Sequence, residues 1–247
     1  MEKHTYQETI HALNTATTVD DLHETCSRFC ERNGFDHFHY GTRIPTSFTK
    51  PHFIHISGYP KEWWRRYNDN LYLKDDPTVA FCSSNFVPLT WDKVTSKQAG
   101  RNGKTNVMHA ANEHGLAAGI SFPAHTPQGD FAMFSLASSR AHKQILEPLE
   151  QVTLLGHSYI FYLHEAVRRI FATDPVPLRP ITLTQREREA LLWTAEGKTS
   201  WEISQILKIS ERTIIFHIHN ATQKLNVCNR QQAIARAVSL GLIRPQF

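Results

Sequence analysis

An α/β unit, built as an α-β-α sandwich on a mainly antiparallel sheet and followed by an all-α unit of four helices, is the architecture this sequence predicts. Strand-like and helical stretches intermingle as far as Ala172, whereas only helical signals follow Ile181. Between them, "ATDPVPLRPIT" sets Pro175, Pro177 and Pro180 so close together that no helix can form. The expected division is therefore 1–172, a stiff Pro-rich linker at 173–180, and 181–247. A chain of 247 residues has room for two such units, and 40% hydrophobic with 20% charged residues is the composition of a folded globular chain.

The first unit opens with helical periodicity from about Tyr6 to Asn33. "HFHYGT" and "HFIHIS" read as strands, an aromatic stretch follows at Lys61–Pro77, and helical spacing returns from Val107 to His114. "AAGISFP" and "FAMFSLAS" are two more strands, joined as a hairpin by the turn "TPQGD". A long helix from about Lys143 to Ile170 closes the unit and carries Leu149, Val152, Tyr159, Ile160 and Leu163.

Four punctuated helices make up the second unit. Thr184 with Glu187, and Thr199 with Glu202, are capping boxes; Ser210 and Asn229 cap the third and fourth helices; Gly197 and Gly241 close the first and last. In the third helix Ile214, Ile218, Ala221 and Leu225 share one face, with Arg212, Ile215, Phe216, His219, Asn220 and Lys224 opposite. Two short helices joined by "KIS", the second with a polar and partly basic outer face, read as a helix-turn-helix that docks on DNA. Charge agrees: residues 181–247 hold nine Lys+Arg against five Asp+Glu, while the first 180 hold 18 of each. The entire formal excess of +4 sits on the second unit, as a nucleic-acid partner requires.

Several function classes are excluded by pattern. "MEKHTYQETIHALN" carries no apolar signal region, and "QVTLLGHSYIFYLHEAV" is interrupted by Gly156, His157 and His164, short of a membrane span. The expectation is a cytoplasmic chain with no membrane partner. Four cysteines in a chain of this length form no disulfide framework, and Cys26 and Cys30 read as buried thiols. Thirteen of the 15 histidines precede residue 181, yet no HExxH or paired CxxC accompanies them. Neither "GKT" has the glycine a phosphate loop needs, and Ser158 lacks the glycines of a nucleophile elbow. No metal, no cofactor and no catalytic residues are expected, and the chain does not read as an enzyme.

Lys61–Pro77, "KEWWRRYNDNLYLKDDP", is either core or the wall of a pocket. A resemblance decides between them. The stretch from "LTQREREALL" to "VSLGLI" resembles the DNA-binding domain of LuxR-type regulators. The first unit is similar to the autoinducer-binding domain of the quorum-sensing branch of that family, whose members bind N-acyl-homoserine lactones. The family's pattern is met by Trp63, Tyr67, Asp76-Pro77, Trp91 and Gly119, and Ser135 matches a position where the family often has Ser or Thr facing the signal.

The resemblance implies a ligand and a role for each of these residues. A lactone head offers carbonyl acceptors and one amide N–H, and each must be matched once buried. Trp63 would donate to the lactone carbonyl, Tyr67 to the amide carbonyl, and Asp76 would accept from the amide N–H, aimed by Pro77. Without that N–H, a buried Asp76 is expected to stand unpartnered. Trp91 would supply a flat apolar wall, Gly119 room for close approach, and Tyr72 a second wall or lid; Trp64 is expected to point elsewhere. On DNA, Arg212, Thr213 and Lys224 would hold phosphates, with Thr199 at the start of the preceding helix. Ile215, His219 and Asn220 would reach base edges beside Phe216, although an Ile is limited to apolar contact with a thymine methyl. Lys208 stands in the turn where similar sequences often have Gly. The function implied is a lactone-gated activator of transcription that binds a palindromic promoter site as a homodimer and engages RNA polymerase. Two other readings stay open: a same-fold sensor of a non-lactone molecule, and a DNA-binding protein whose first domain binds only a protein partner.

Overall fold

The structure is a computed structural model that describes residues 3–45, 50–94, 107–127, 129–171 and 181–245. The chain divides into two compact units. The larger comprises Met1–Arg43, Phe53–His125 and Phe131–Asp174; the smaller comprises Pro175–Phe247 with the segments Ile44–His52 and Thr126–Asp130. The expected linker at 173–180 lies outside the described residues.

Two helices, α1 (Lys3–Thr15) and α2 (Val19–Arg32), open the larger unit. The helical periodicity read from about Tyr6 to Asn33 is carried by these two helices. Thr18 is extended (φ −128, ψ 163) and forms a capping box with Asp21, so the backbone leaves one helix and starts another while the hydrophobic spacing runs on. Strands β1 (His37–Ile44) and β2 (His52–Ser57) follow, then α3 (Lys61–Asp69), a 3₁₀ turn at Tyr72–Lys74, α4 (Pro77–Cys82) and the two-residue β3 (Leu89–Thr90). Helix α5 (Val107–Asn112), strands β4 (Ala118–His125) and β5 (Phe131–Ser138), and the long α6 (Leu146–Phe171) complete the unit.

The sheet has five strands in the order β2-β1-β5-β4-β3, and the β1–β5, β5–β4 and β4–β3 pairs are antiparallel. Strand alternation sends Phe38, Tyr40, Phe122 and Phe134 toward α2 and α6. There Phe29 stacks on Tyr159 at 3.9 Å, Phe134 lies 5.1 Å from Tyr159, and Tyr40 hydrogen-bonds His164 at 2.7 Å. Gly156, in the middle of α6, is where the Phe122 ring presses on the helix, and a Cβ there would overlap it. On the opposite face His39, Gly41, Met133 and Ser135 look toward α3, α4 and α5. Every residue of β5 is buried, as expected of a strand covered on both faces.

In the smaller unit α7 (Gln185–Ala195), α8 (Ser200–Leu207), α9 (Glu211–Lys224) and α10 (Arg230–Ser239) start at the caps read from the sequence: Thr184, Thr199, Ser210 and Asn229. Ile214, Ile218, Ala221 and Leu225 are buried against α7, α8 and α10. Lys208 ends α8 in the left-handed conformation (φ 56, ψ 43). The turn therefore has the backbone that glycine favours, with a lysine strained into it.

Candidate functional site

A cavity of about 560 Å³ lies on the α3–α5 side of the sheet. Its floor is β1 and β5; α3 supplies the aromatic wall because its first two turns place Trp63, Trp64 and Tyr67 close together. Trp63 is 4% exposed, with ring centroids 5.6 Å from Tyr67 and 5.9 Å from Tyr72. Among the described residues no hydrogen bond engages its indole N–H.

Of the eight sequence-predicted ligand residues, Trp63, Tyr67, Asp76, Trp91 and Ser135 line this cavity. Tyr72, Pro77 and Gly119 do not, and each has another task. Tyr72 is buried against Trp63 and Tyr67, so it backs the wall instead of forming it. Pro77 occupies the first turn of α4, where its missing N–H is harmless. Gly119 gives room to Trp91 and not to a ligand: a Cβ there would lie 2.9 Å from the Trp91 ring and overlap the Leu136 carbonyl.

Asp76 departs most from expectation. Its carboxylate is buried but not short of donors. Oδ1 accepts from the Thr78 backbone N–H at 2.8 Å and the Thr78 hydroxyl at 2.6 Å, and caps α4; Oδ2 accepts from the Tyr67 hydroxyl at 2.9 Å. A carboxylate has about four acceptor sites, so Oδ2 keeps one for a further N–H. Tyr67, whose O–H donates its hydrogen bond to Asp76, can otherwise only accept, which removes it as the donor to an amide carbonyl. Burial first and the Asp76 charge second push its ionisation far above the ordinary range, and Tyr59 behaves alike. Trp91 is not a purely apolar wall either, since its indole N–H donates to Ser121 Oγ at 2.9 Å.

Among the lining residues that the sequence did not single out as ligand contacts are His39, His55, Tyr59 and Trp64. Trp64, expected to point elsewhere, faces the cavity between His39 (4.8 Å) and His55 (5.1 Å), and Tyr59 sits 5.4 Å from His39. Burial, aided by His55, pushes the His39 imidazole down to about 3, so it is neutral at physiological pH. Cys26, Cys30 and Cys82 are buried free thiols, pushed up to about 12 chiefly by burial, and are inert as nucleophiles. Among the described residues no group of three or more His, Cys, Asp or Glu could hold a metal ion, and no helix is long and apolar enough to cross a membrane.

The second candidate surface is α9. Arg212, Ile215 (54% exposed), Phe216 (58%) and His219 are exposed on its outer side, and Asn220 is half-buried. The remaining predicted contacts are tied into the fold. Thr199 caps α8, with its hydroxyl 2.9 Å from Glu202. Thr213 is half-buried and pairs with Ser210 at 2.7 Å. The Lys224 ammonium donates to the buried Glu187 carboxylate at 2.8 Å, an ion pair that competes with any phosphate role.

Comparisons with known proteins bear on both surfaces. Residues 18–167 match the family described as "Autoinducer binding domain", and residues 181–237 match "Bacterial regulatory proteins, luxR family". The chain is 35% identical over 238 residues to the transcriptional activator protein AnoR of Acinetobacter nosocomialis, covering 96% of this chain and 98% of that one. It is 32% identical over 241 residues to the transcriptional activator protein LuxR of Aliivibrio fischeri, covering 96% and 94%. Among solved structures, Escherichia coli SdiA superposes with a TM-score of 0.79 at 26% identity, covering 98% of this chain and 99% of that one. SdiA in complex with octanoyl-rac-glycerol gives 0.77 at 25% identity, covering both chains fully.

Proposed function

The chain belongs to the LuxR family of bacterial regulatory proteins, with an autoinducer-binding domain ahead of its helix-turn-helix, and from that premise we propose that it is a cytoplasmic activator of transcription gated by an N-acyl-homoserine lactone. The observation that carries the ligand reading is the polarity of the cavity wall. An otherwise aromatic and aliphatic enclosure presents the unengaged Trp63 N–H and the remaining acceptor site of Asp76 Oδ2. A lactone carbonyl and an amide N–H complement these two groups, and an acyl chain suits the apolar remainder.

Arg212, Ile215, Phe216, His219 and Asn220 form the DNA-reading set, with phosphate attraction from the basic second unit. The named activators AnoR and LuxR support activation, and RNA polymerase is the partner that activation requires. As a homodimer the chain would present two helix-turn-helix units, related by two-fold symmetry, to a palindromic site. The exposed Leu154, Phe161 and Tyr162 on α6 are our candidates for the first-domain contact.

A second reading is a non-lactone acyl ligand, favoured by the complex of SdiA with octanoyl-rac-glycerol. Fluorescence anisotropy of promoter DNA, read with the full chain alone, with lactones and with octanoylglycerol, tests the gating. DNA binding strengthened by lactone supports the first reading, strengthening by the glycerol ester alone supports the second, and indifference to both removes the gate.

A further inference from the structure

We infer that His39 is a specificity-determining residue: its Nε2–H donates to a ketone oxygen on the acyl chain, close to the amide, so that the cavity selects a 3-oxo-acyl lactone over the unsubstituted one. The inference rests on the lactone reading above. Strand alternation puts His39, Gly41 and Arg43 on the cavity face of β1, opposite Ser135, Met133 and Phe131 of β5. The floor thus runs from a polar end, where Tyr59 is hydrogen-bonded to Ser135 and Tyr67 to Asp76, to an apolar end built on Met133, Phe131 and Val79. The His39 ring leans toward the apolar end. A Cβ on Gly41 would stand 3.1 Å from His39 Nε2, so this nitrogen borders the space that Gly41 leaves open in the cavity. Trp64 stands edge-on against the ring at 4.8 Å and limits its rotation.

Hydrogen bonding defines what this ring can do. Among the described residues neither of its nitrogens has a hydrogen-bond partner, and Nδ1 is sealed from solvent. Burial, aided by His55, keeps the imidazole neutral, so it carries a single N–H. On Nδ1 that proton would be a buried donor without an acceptor, a rarer defect than a bare acceptor. On Nε2 it faces the cavity beside Gly41. The ring therefore presents one donor, and a neutral donor suits a neutral oxygen, not a buried carboxylate. In the lactone reading Trp63 takes the lactone carbonyl and Asp76 the amide N–H, and the acyl chain then passes Gly41 into the apolar end. Carbon 3 of that chain lies two bonds past the amide carbonyl, where the apolar stretch begins. A ketone oxygen there needs only the His39 donor, whereas a hydroxyl would bring a further proton to be matched.

Calorimetric titration of the full chain with N-octanoyl- and N-(3-oxooctanoyl)-homoserine lactone tests this. The unaltered chain is expected to bind the 3-oxo form about tenfold more tightly, the effect of one hydrogen bond. His39→Leu should bring the ratio of the two affinities to about one. Gly41→Ala, which sets a methyl beside Nε2 and keeps the imidazole, should lower the ratio as well. An unaltered chain that binds both lactones equally overturns the inference, as does a preference that survives both substitutions. Equal losses for the two lactones in His39→Leu overturn it too, since His39 would then serve an atom they share. If the unaltered chain binds neither, the lactone reading fails and takes the inference with it. Nitrogen NMR of the labelled, ligand-free chain adds a reading that needs no ligand. His39 is expected with Nε2 protonated and Nδ1 bare, and the reverse tautomer overturns the donor role.

Discussion

Asp76 holds two positions at once, as the N-cap of α4 and as the acceptor of the Tyr67 proton, and it still has an acceptor site toward the cavity. The first role was written locally, as an Asp before Pro and Thr, although the sequence led to the expectation of an unpartnered carboxylate. The second was not, because residues nine apart meet only when α3 and the following turn fold back on one another. Trp91 and Ser121, 30 apart, could be paired only by the sheet register. Trp64 was missed because adjacent helical residues diverge by about 100°, yet a wide cavity takes both it and Trp63. If the Trp63 N–H binds the lactone carbonyl, Trp63→Phe weakens lactone affinity about tenfold in a calorimetric titration of folded protein, and unchanged affinity contradicts that role. Gly119→Ala forces the Trp91 ring and the Leu136 carbonyl apart and is expected to cost about 1–3 kcal/mol in urea unfolding. A neutral result would show that β4 yields there.

At the scale of elements, the caps of α7 to α10 were readable because a cap is written within four residues. The break between α1 and α2 was written equally locally, in "TTVDD". Lys208 shows where a local rule is broken. A non-glycine residue in the left-handed region costs about 1–2 kcal/mol, and glycine returns part of the gain as chain entropy. Lys208→Gly is therefore expected to stabilise the second unit by about 0.5–1 kcal/mol, measured by denaturant unfolding. The Glu187–Lys224 pair locks α9 to α7. Burial pushes the Glu187 carboxyl up, but the bonds from Lys224 and the Thr184 backbone outweigh it and leave the group below its ordinary 4.5. The pair's contribution is thus present above about pH 4.5 and lost as pH falls through the lower, folded value. Lys224→Met should cost about 1–3 kcal/mol at pH 7 and much less at pH 3, because protonated Glu187 no longer needs the ammonium. A cost that stays constant with pH would assign Lys224 a packing role alone.

Across the whole molecule, charge asymmetry and the proline cluster outlined a neutral sensing unit ahead of a basic DNA-reading unit, and the two family matches, at residues 18–167 and 181–237, fall on either side of that cluster. The ligand is legible only as a pattern of donors and acceptors on an apolar wall, which is why the central claim has to be put to the ligand itself. The most direct test follows thermal unfolding of the full chain with N-acyl-homoserine lactones of graded chain length, alongside their ring-opened forms and octanoylglycerol. A ligand that binds the folded state alone stabilises it by about 2.7 kcal/mol at a hundredfold excess over its dissociation constant, and each kcal/mol moves the midpoint of a protein this size by roughly 2–4 °C. The account predicts an upward shift that depends on chain length and disappears on ring opening. A well-folded chain whose midpoint no lactone moves would contradict it, and Trp63, Tyr67 and Asp76 would then belong to a core or to another ligand.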